Sequence, residues 1–340
     1  MASAKALLLI NLGSPDSTDP KDVQRYLNEF LMDSNVLDFP FLFRYPLVHW
    51  IITPFRAPKS AEAYSRVWRP DGSPLIALSR QLGDAVQQKL DFPVALAMRY
   101  GYPDPKTTLD QLLEAHPGVK ELIVFPLYPH YTMSSYRTAV DHIKKIYKQH
   151  RYPFTLRFIS PFYNEPEYIA ALSEKIRPYL DRPYDKILFS YHGLPERHMR
   201  KDDQMIMSTL SAGNKAATGF TMPPINYQKQ CHETTRMVVE YLGLQEGTFE
   251  TSFQSRLTQA GNEWIKPYTA VRLEELPKEG VQRLLVVCPA FINDCLETLE
   301  EIAMEGKHAF ENAGGTELTY IPCLNDSPQW VDTIVRWVEK

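Results

Sequence analysis

The chain has 340 residues, 44% of them apolar and 23% charged, which suffices to bury one large or two medium hydrophobic cores and is the composition of an ordinary soluble globular protein. Its 37 basic and 41 acidic side chains leave a net charge of -4 with no Lys/Arg block of the kind that grips a phosphate backbone, so no nucleic-acid partner is expected. The four cysteines, Cys231, Cys288, Cys295 and Cys323, include no CxxC pair, which disfavours a zinc knuckle or a disulfide framework and suits a reducing cytoplasm.

The N-terminal "MASAKALLLINLG" carries one lysine and an apolar run too short for a signal-peptide core or a membrane span. It reads as a first strand, 6–12. Asp19-Pro20 then supplies a cap and first-turn pair, and Val23, Tyr26, Leu27, Phe30 and Leu31 follow at helical spacing. Further strands are expected at 93–98, 121–127, 155–160, 186–191, 283–290 and 318–322, most of them after a helical stretch. Apolar runs without alternation, separated by helices, point to parallel sheets covered on both faces.

Two internal echoes suggest duplication. "KALLLINLGSP" resembles "KILFSYHGLP", and "ELIVFPLYPHYT" resembles "RLLVVCPAFIND". The reading is an α/β chain of two similar lobes, 1–170 and 171–340; the alternative is that buried parallel strands simply look alike. In open α/β sheets ligands lie beyond the carboxyl ends of the strands, where these Pro-containing loops fall.

Residues 39–57, "FPFLFRYPLVHWIITPFRA", combine aromatic and aliphatic side chains with three prolines that are expected to break any regular element. Two readings stand: a core helix flanked by turns, or an apolar lip around a flat hydrophobic ligand that also touches a membrane surface.

His192 ends the strand 186–191 just before Gly-Leu-Pro, where an imidazole would face the ligand crevice as an acid or base. A structural histidine is the plainer reading. "NLGSPD" is neither a GxGxxG nor a P-loop pattern, and Ser190 sits in no G-x-S-x-G elbow, which disfavours nucleotide enzymes and hydrolases. In "CPAFINDCLETLEEIAME", Asp294, Glu297 and Glu301 would share one face of a helix beginning near 294. They form either a capping box of Asp294 with Glu297 or a polar track for protons or a divalent cation.

Those blocks, with "VQRYLNEFLMDSNV", "RAPKSAEAYSRVW", "GSPL", "AMRYGYP", "PLYPHYTMSS", "SYHGLPERH", "SFQSR" and "CPAFINDCLETLEEI", resemble the ferrochelatase family in wording and order over nearly the whole chain. The resemblance implies two Rossmann-like lobes, each a parallel sheet flanked by helices, enclosing a porphyrin cleft. It also implies a lyase-class metal chelatase that inserts ferrous iron, as substrate, into a porphyrin to make haem. His192 and Glu297 match the family's catalytic and metal-handling pair, with Asp294 and Glu301 on the acidic path behind them. Arg56, Tyr64 and Ser73 match propionate-holding positions. Met98, Arg99, Tyr100 and Tyr131 match the pocket lining, Trp264 its edge, and 41–55 the apolar lip.

Two departures matter. Position 295 is Cys where animal members commonly have His. The cysteine-rich C-terminal extension that holds an iron–sulfur cluster in some members has no counterpart before Lys340, so neither a cluster nor any other permanent cofactor is expected. The "SYHGLPER" and "CLETLEEI" wording resembles the Gram-negative type, which implies protoporphyrin IX rather than coproporphyrin. A cytoplasmic monomer, with peripheral membrane contact through the 39–57 lip, completes the expectation. The competing readings are a chelatase for another tetrapyrrole or metal and a porphyrin carrier without turnover.

Overall fold

A computed structural model describes residues 4–211, 219–256 and 263–340. The chain divides into two compact units, each built on one four-stranded parallel sheet.

The first sheet contains β1 (Lys5–Gly13), β2 (Val94–Tyr100), β3 (Glu121–Pro126) and β4 (Thr155–Phe158) in the order β2-β1-β3-β4. Ala6 to Ile10 of the central strand β1 are wholly buried, which is what an unbroken apolar run in a doubly covered parallel sheet requires. Helices Pro20–Leu31, Pro74–Gln87, Pro105–Ala115 and Thr138–His150 accompany it. Asp19 caps the first of these, accepting from the Lys21 N–H at 2.8 Å, with Pro20 in the first turn.

The second sheet contains β5 (Lys186–His192), β6 (Phe249–Gln254), β7 (Arg283–Val287) and β8 (Glu317–Ile321) in the order β6-β5-β7-β8. The two orders correspond strand for strand. The echoed segments occupy matching places, β1 with β5 at the centre and β3 with β7 beside them. Strand β6 has no counterpart among the expected strands. Its sequence, FETSFQ, lacks an apolar run because its buried positions include Ser252 and Gln254, which are satisfied by hydrogen bonds rather than by apolar contact.

The unit boundary falls at Ser160/Pro161, ten residues before the expected one, and 128–131 group with the second unit. Residues 334–340 group with the first. Trp337 stacks on Phe125 at 6.1 Å between ring centroids, and Arg157 donates to the Val338 carbonyl at 2.8 Å.

The prolines of 39–57 do not break the segment, contrary to expectation. It runs as an α-helix (Phe41–Pro46), a π-helical turn (Leu47–Ile52) and an α-helix (Thr53–Val67). Pro54 falls where the π-helical turn hands over to the following α-helix, and the wider turn itself follows Pro46. Neither is it a core helix: Leu42 is 82% exposed, Phe43 and Trp50 70%, and Phe55 76%.

Candidate active site

In the second unit, β5 delivers His192 to its carboxyl end, half-exposed. Nδ1 lies 2.7 Å from the Gly193 carbonyl. A carbonyl can only accept, so Nδ1 carries a proton; in the neutral ring Nε2 then holds the lone pair, and it has no partner among the described residues. Phe291 packs near the ring at 6.3 Å, and Tyr227 donates to the His192 carbonyl at 2.9 Å. Trp264 lies buried beside Gly193 and bridges to Pro195; its indole N–H has no acceptor among the described residues. Tyr131 is buried in the same unit, its N–H donating to Gln230 Oε1 at 2.8 Å and its ring tilted against Phe220.

The acidic residues are arranged differently from the expected helix face. The helix is Leu296–Leu299, capped by Cys295, and it passes into a π-helical stretch, Glu301–Gly306. The capping box is formed by Cys295 and Thr298, not by Asp294 and Glu297. Asp294 precedes the helix with a carboxylate fully engaged by neighbours. It accepts from Tyr320 Oη at 2.5 Å, Asn325 Nδ2 at 2.7 Å, Thr298 Oγ1 at 3.1 Å and the Cys323 N–H at 3.2 Å.

Glu301 is gripped by Ser255, whose N–H and Oγ donate to its two carboxylate oxygens at 2.6 and 2.5 Å. Ser255 adopts φ 62°, a left-handed conformation uncommon for a side-chain-bearing residue, which here aims both donors at one carboxylate. Burial pushes the Glu301 carboxyl above its ordinary range. The Ser255 bonds pull it down, as does His192 whenever its ring carries a second proton, while the charge of Glu297 adds to the rise. His192, Glu297 and Glu301 therefore share one electrostatic neighbourhood: a base with a bare nitrogen, a carboxylate, and a second carboxyl poised to hold a proton.

In the first unit, Arg56 is half-buried on the Thr53–Val67 helix and makes no ion pair or hydrogen bond among the described residues. Tyr64, on the same helix, packs edge-on to Trp68 at 6.0 Å, and Ser73 is the buried residue that precedes helix Pro74–Gln87. Met98 is wholly buried. Arg99 and Tyr100 are committed inside the unit. Asp33 Oδ2 accepts from Arg99 Nη2 at 2.5 Å, Tyr100 Oη at 2.8 Å and Thr138 Oγ1 at 2.5 Å, and Arg99 Nε donates to Thr138 Oγ1 at 2.8 Å. Neither Asp33 nor Ser255 stood out in the sequence, because nothing in "LMDSN" or "FQSR" marks a buried partner far along the chain.

A family model described as Ferrochelatase matches residues 4–340. The ferrochelatase of Pseudomonas aeruginosa (strain LESB58) is 46% identical over 332 residues, which cover 97% of this chain and 96% of that protein. That of Pseudomonas putida is 44% identical over 339 residues, 98% of each. Among solved structures, SirB from Bacillus subtilis with Fe3+ superposes at a TM-score of 0.54 with 11% identity, over 99% of this chain and 95% of that one, a likeness of fold alone. With a family match over all but the first three residues and curated relatives of almost the same length, the chain belongs to the ferrochelatase family.

Proposed function

We propose that this ferrochelatase-family chain inserts ferrous iron into protoporphyrin IX to form haem, with His192 accepting pyrrole protons at Nε2. Metal insertion removes two pyrrole protons and needs the ring bent so that nitrogen lone pairs meet the ion, work that a shaped apolar site supplies from binding energy. Glu297 and Glu301 relay the protons or guide the ion, and Asp294 acts behind them by holding Tyr320, Asn325 and the Cys323 amide in place. The observation that carries this reading is the His192 ring itself, with Nδ1–H tied to Gly193 and Nε2 bare, beside two acids of which one is pushed up by burial.

Arg56, with no internal partner, is the propionate-binding cation of this reading, and Tyr64 and Ser73 stand near it in sequence. Arg99 and Tyr100 serve the pocket as a braced wall rather than as direct anion ligands, because their polar atoms are already engaged by Asp33 and Thr138. Met98 and Tyr131, each wholly buried in its own unit, back the site from within, and Trp264 presents ring surface beside Gly193. The reaction belongs to the lyase-class chelatases, needs no permanent cofactor or iron–sulfur cluster, and is carried out by a cytoplasmic monomer. The exposed side chains of 39–57 support peripheral membrane contact, and no described helix is long and apolar enough to cross a bilayer.

A metal-insertion assay with ferrous iron or zinc, run on protoporphyrin and coproporphyrin side by side, tests the substrate. Turnover with coproporphyrin alone would overturn the protoporphyrin reading, and a porphyrin spectral shift without metal uptake would mark a carrier.

A further inference from the structure

Gln254 is the last residue of β6, lies in register with His192 on β5, and is buried. Its backbone carbonyl accepts from the Gly193 N–H at 2.7 Å. That close approach explains the glycine: a Cβ at 193 would fall 2.6 Å from the same oxygen. The side chain of Gln254 reaches the other way. Nε2 donates to the Glu297 backbone carbonyl at 2.8 Å, while Oε1 accepts from Ser190 Oγ at 2.7 Å and from the Cys288 thiol at 3.4 Å. These partners fix the amide's orientation. A peptide carbonyl can only accept, so the NH2 must face Glu297. Ser190 is held in turn by Thr269, which also meets Ser252, so the acceptor end is tied into β5 and β6 together.

The helix that carries Glu297 is only four residues long before its pitch widens, so helical regularity alone does little to place that residue. We infer that Gln254 is a positioning residue for metal insertion, holding the Glu297 backbone in a fixed relation to the strand end that carries His192. The inference rests on the assignment of His192 and Glu297 as the reacting pair.

The test uses full-length Gln254→Met and Gln254→Glu, with Glu297→Gln alongside, assayed with zinc and protoporphyrin IX. Gln254→Met keeps the bulk without the hydrogen bonds and should lower kcat about 10- to 100-fold while porphyrin KM stays within about twofold, since a displaced group costs rate rather than ring binding. Gln254→Glu adds a readout that a purely structural role would not give. When protonated, the new carboxyl can donate to the Glu297 carbonyl as the amide did; when ionised, it sets acceptor against acceptor. Its kcat, divided by that of wild type at the same pH, should therefore rise by about tenfold from about pH 8.5 to about pH 6, the interval in which a buried carboxyl can titrate. A flat ratio, wild-type kcat in Gln254→Met, or a loss confined to KM would overturn the inference. If Gln254→Met does not fold, Gln254→Asn takes its place: it keeps the amide but is one methylene short of the Glu297 carbonyl, and should show the same loss of kcat with porphyrin KM kept. Wild-type turnover in Glu297→Gln would overturn it by a different route, by removing the reacting pair on which it rests.

Discussion

His192 can serve as a base because its other nitrogen is committed: the Gly193 carbonyl holds the Nδ1 proton and thereby leaves the lone pair on Nε2. His192→Ala should lower metal insertion by about 10²- to 10⁴-fold, the usual cost of losing a general base, with porphyrin affinity largely kept. Fluorescence titration of the porphyrin beside a turnover assay checks both halves, and near-normal turnover would remove His192 from the chemistry. Glu297→Gln is a cleaner test than spacing alone allowed. Since Cys295 and Thr298 form the cap, Glu297 has no capping duty, and the substitution should leave the melting temperature within a few degrees while nearly stopping insertion. An inactive variant that also melts much earlier would point to a structural duty for Glu297 instead. Arg56→Ala should raise porphyrin KM by about 10- to 100-fold with little change in kcat, because a charge-assisted contact of roughly 1.5–3 kcal/mol is made in ground and transition states alike. An unchanged KM would reassign the propionate partner.

Elements were legible wherever their side chains point into apolar surroundings. β1, β3, β5 and β7 declare themselves as unbroken apolar runs, and their echo points to two similar lobes, in keeping with the matching sheet orders. β6 was hidden because it is buried through polar partners, and only the duplication could have found it, as the counterpart of β2. The acidic helix starts two residues later than the spacing suggests, because three- and four-residue spacing fits any helix phase, whereas the actual start is set by Cys295 and Thr298. Asp33 shows the same limit, since its role depends on partners 66, 67 and 105 positions away. It ties the end of helix Pro20–Leu31 to β2 and to the start of helix Thr138–His150. Burial alone would raise its pKa, but the Thr138 bond, the Asn35 N–H, the charge of Arg99 and Tyr100 together bring it below the ordinary value. Asp33→Asn leaves Arg99 without its buried carboxylate and should cost about 3–5 kcal/mol in chemical denaturation, as breaking one side of a buried pair does. A loss under about 1 kcal/mol would mean that solvent reaches the pair freely.

Across the whole molecule, the pH dependence of stability should be governed by histidines kept neutral inside both units. His130 in the second unit is the clearest case. Thr234 Oγ1 donates to the Tyr163 carbonyl at 2.7 Å, so at 3.0 Å it must accept from His130 Nε2, which places the single ring proton there. Nδ1 is buried with no partner among the described residues, surrounded by the rings of Tyr163, Tyr191 and Tyr227, and burial lowers the pKa to about 3. In the first unit, burial and then the charge of Arg99 lower His142 to about 4. The sign follows from proton counting. An unfolded histidine takes up its proton near pH 6.5, while these folded ones wait until pH 3 or 4, so between those limits the unfolded chain binds more protons. Their contribution is complete above about pH 6.5 and is lost as pH falls toward 3, by several kcal/mol for His130 at roughly 1.4 kcal/mol per unit. His130→Gln keeps a donor for Thr234 and cannot take a proton. Its unfolding temperature, followed by calorimetry from about pH 7 to about pH 4, should therefore decline less steeply than that of wild type. Parallel declines would mean that His130 titrates normally in the folded protein and that the tyrosine cage around it admits water.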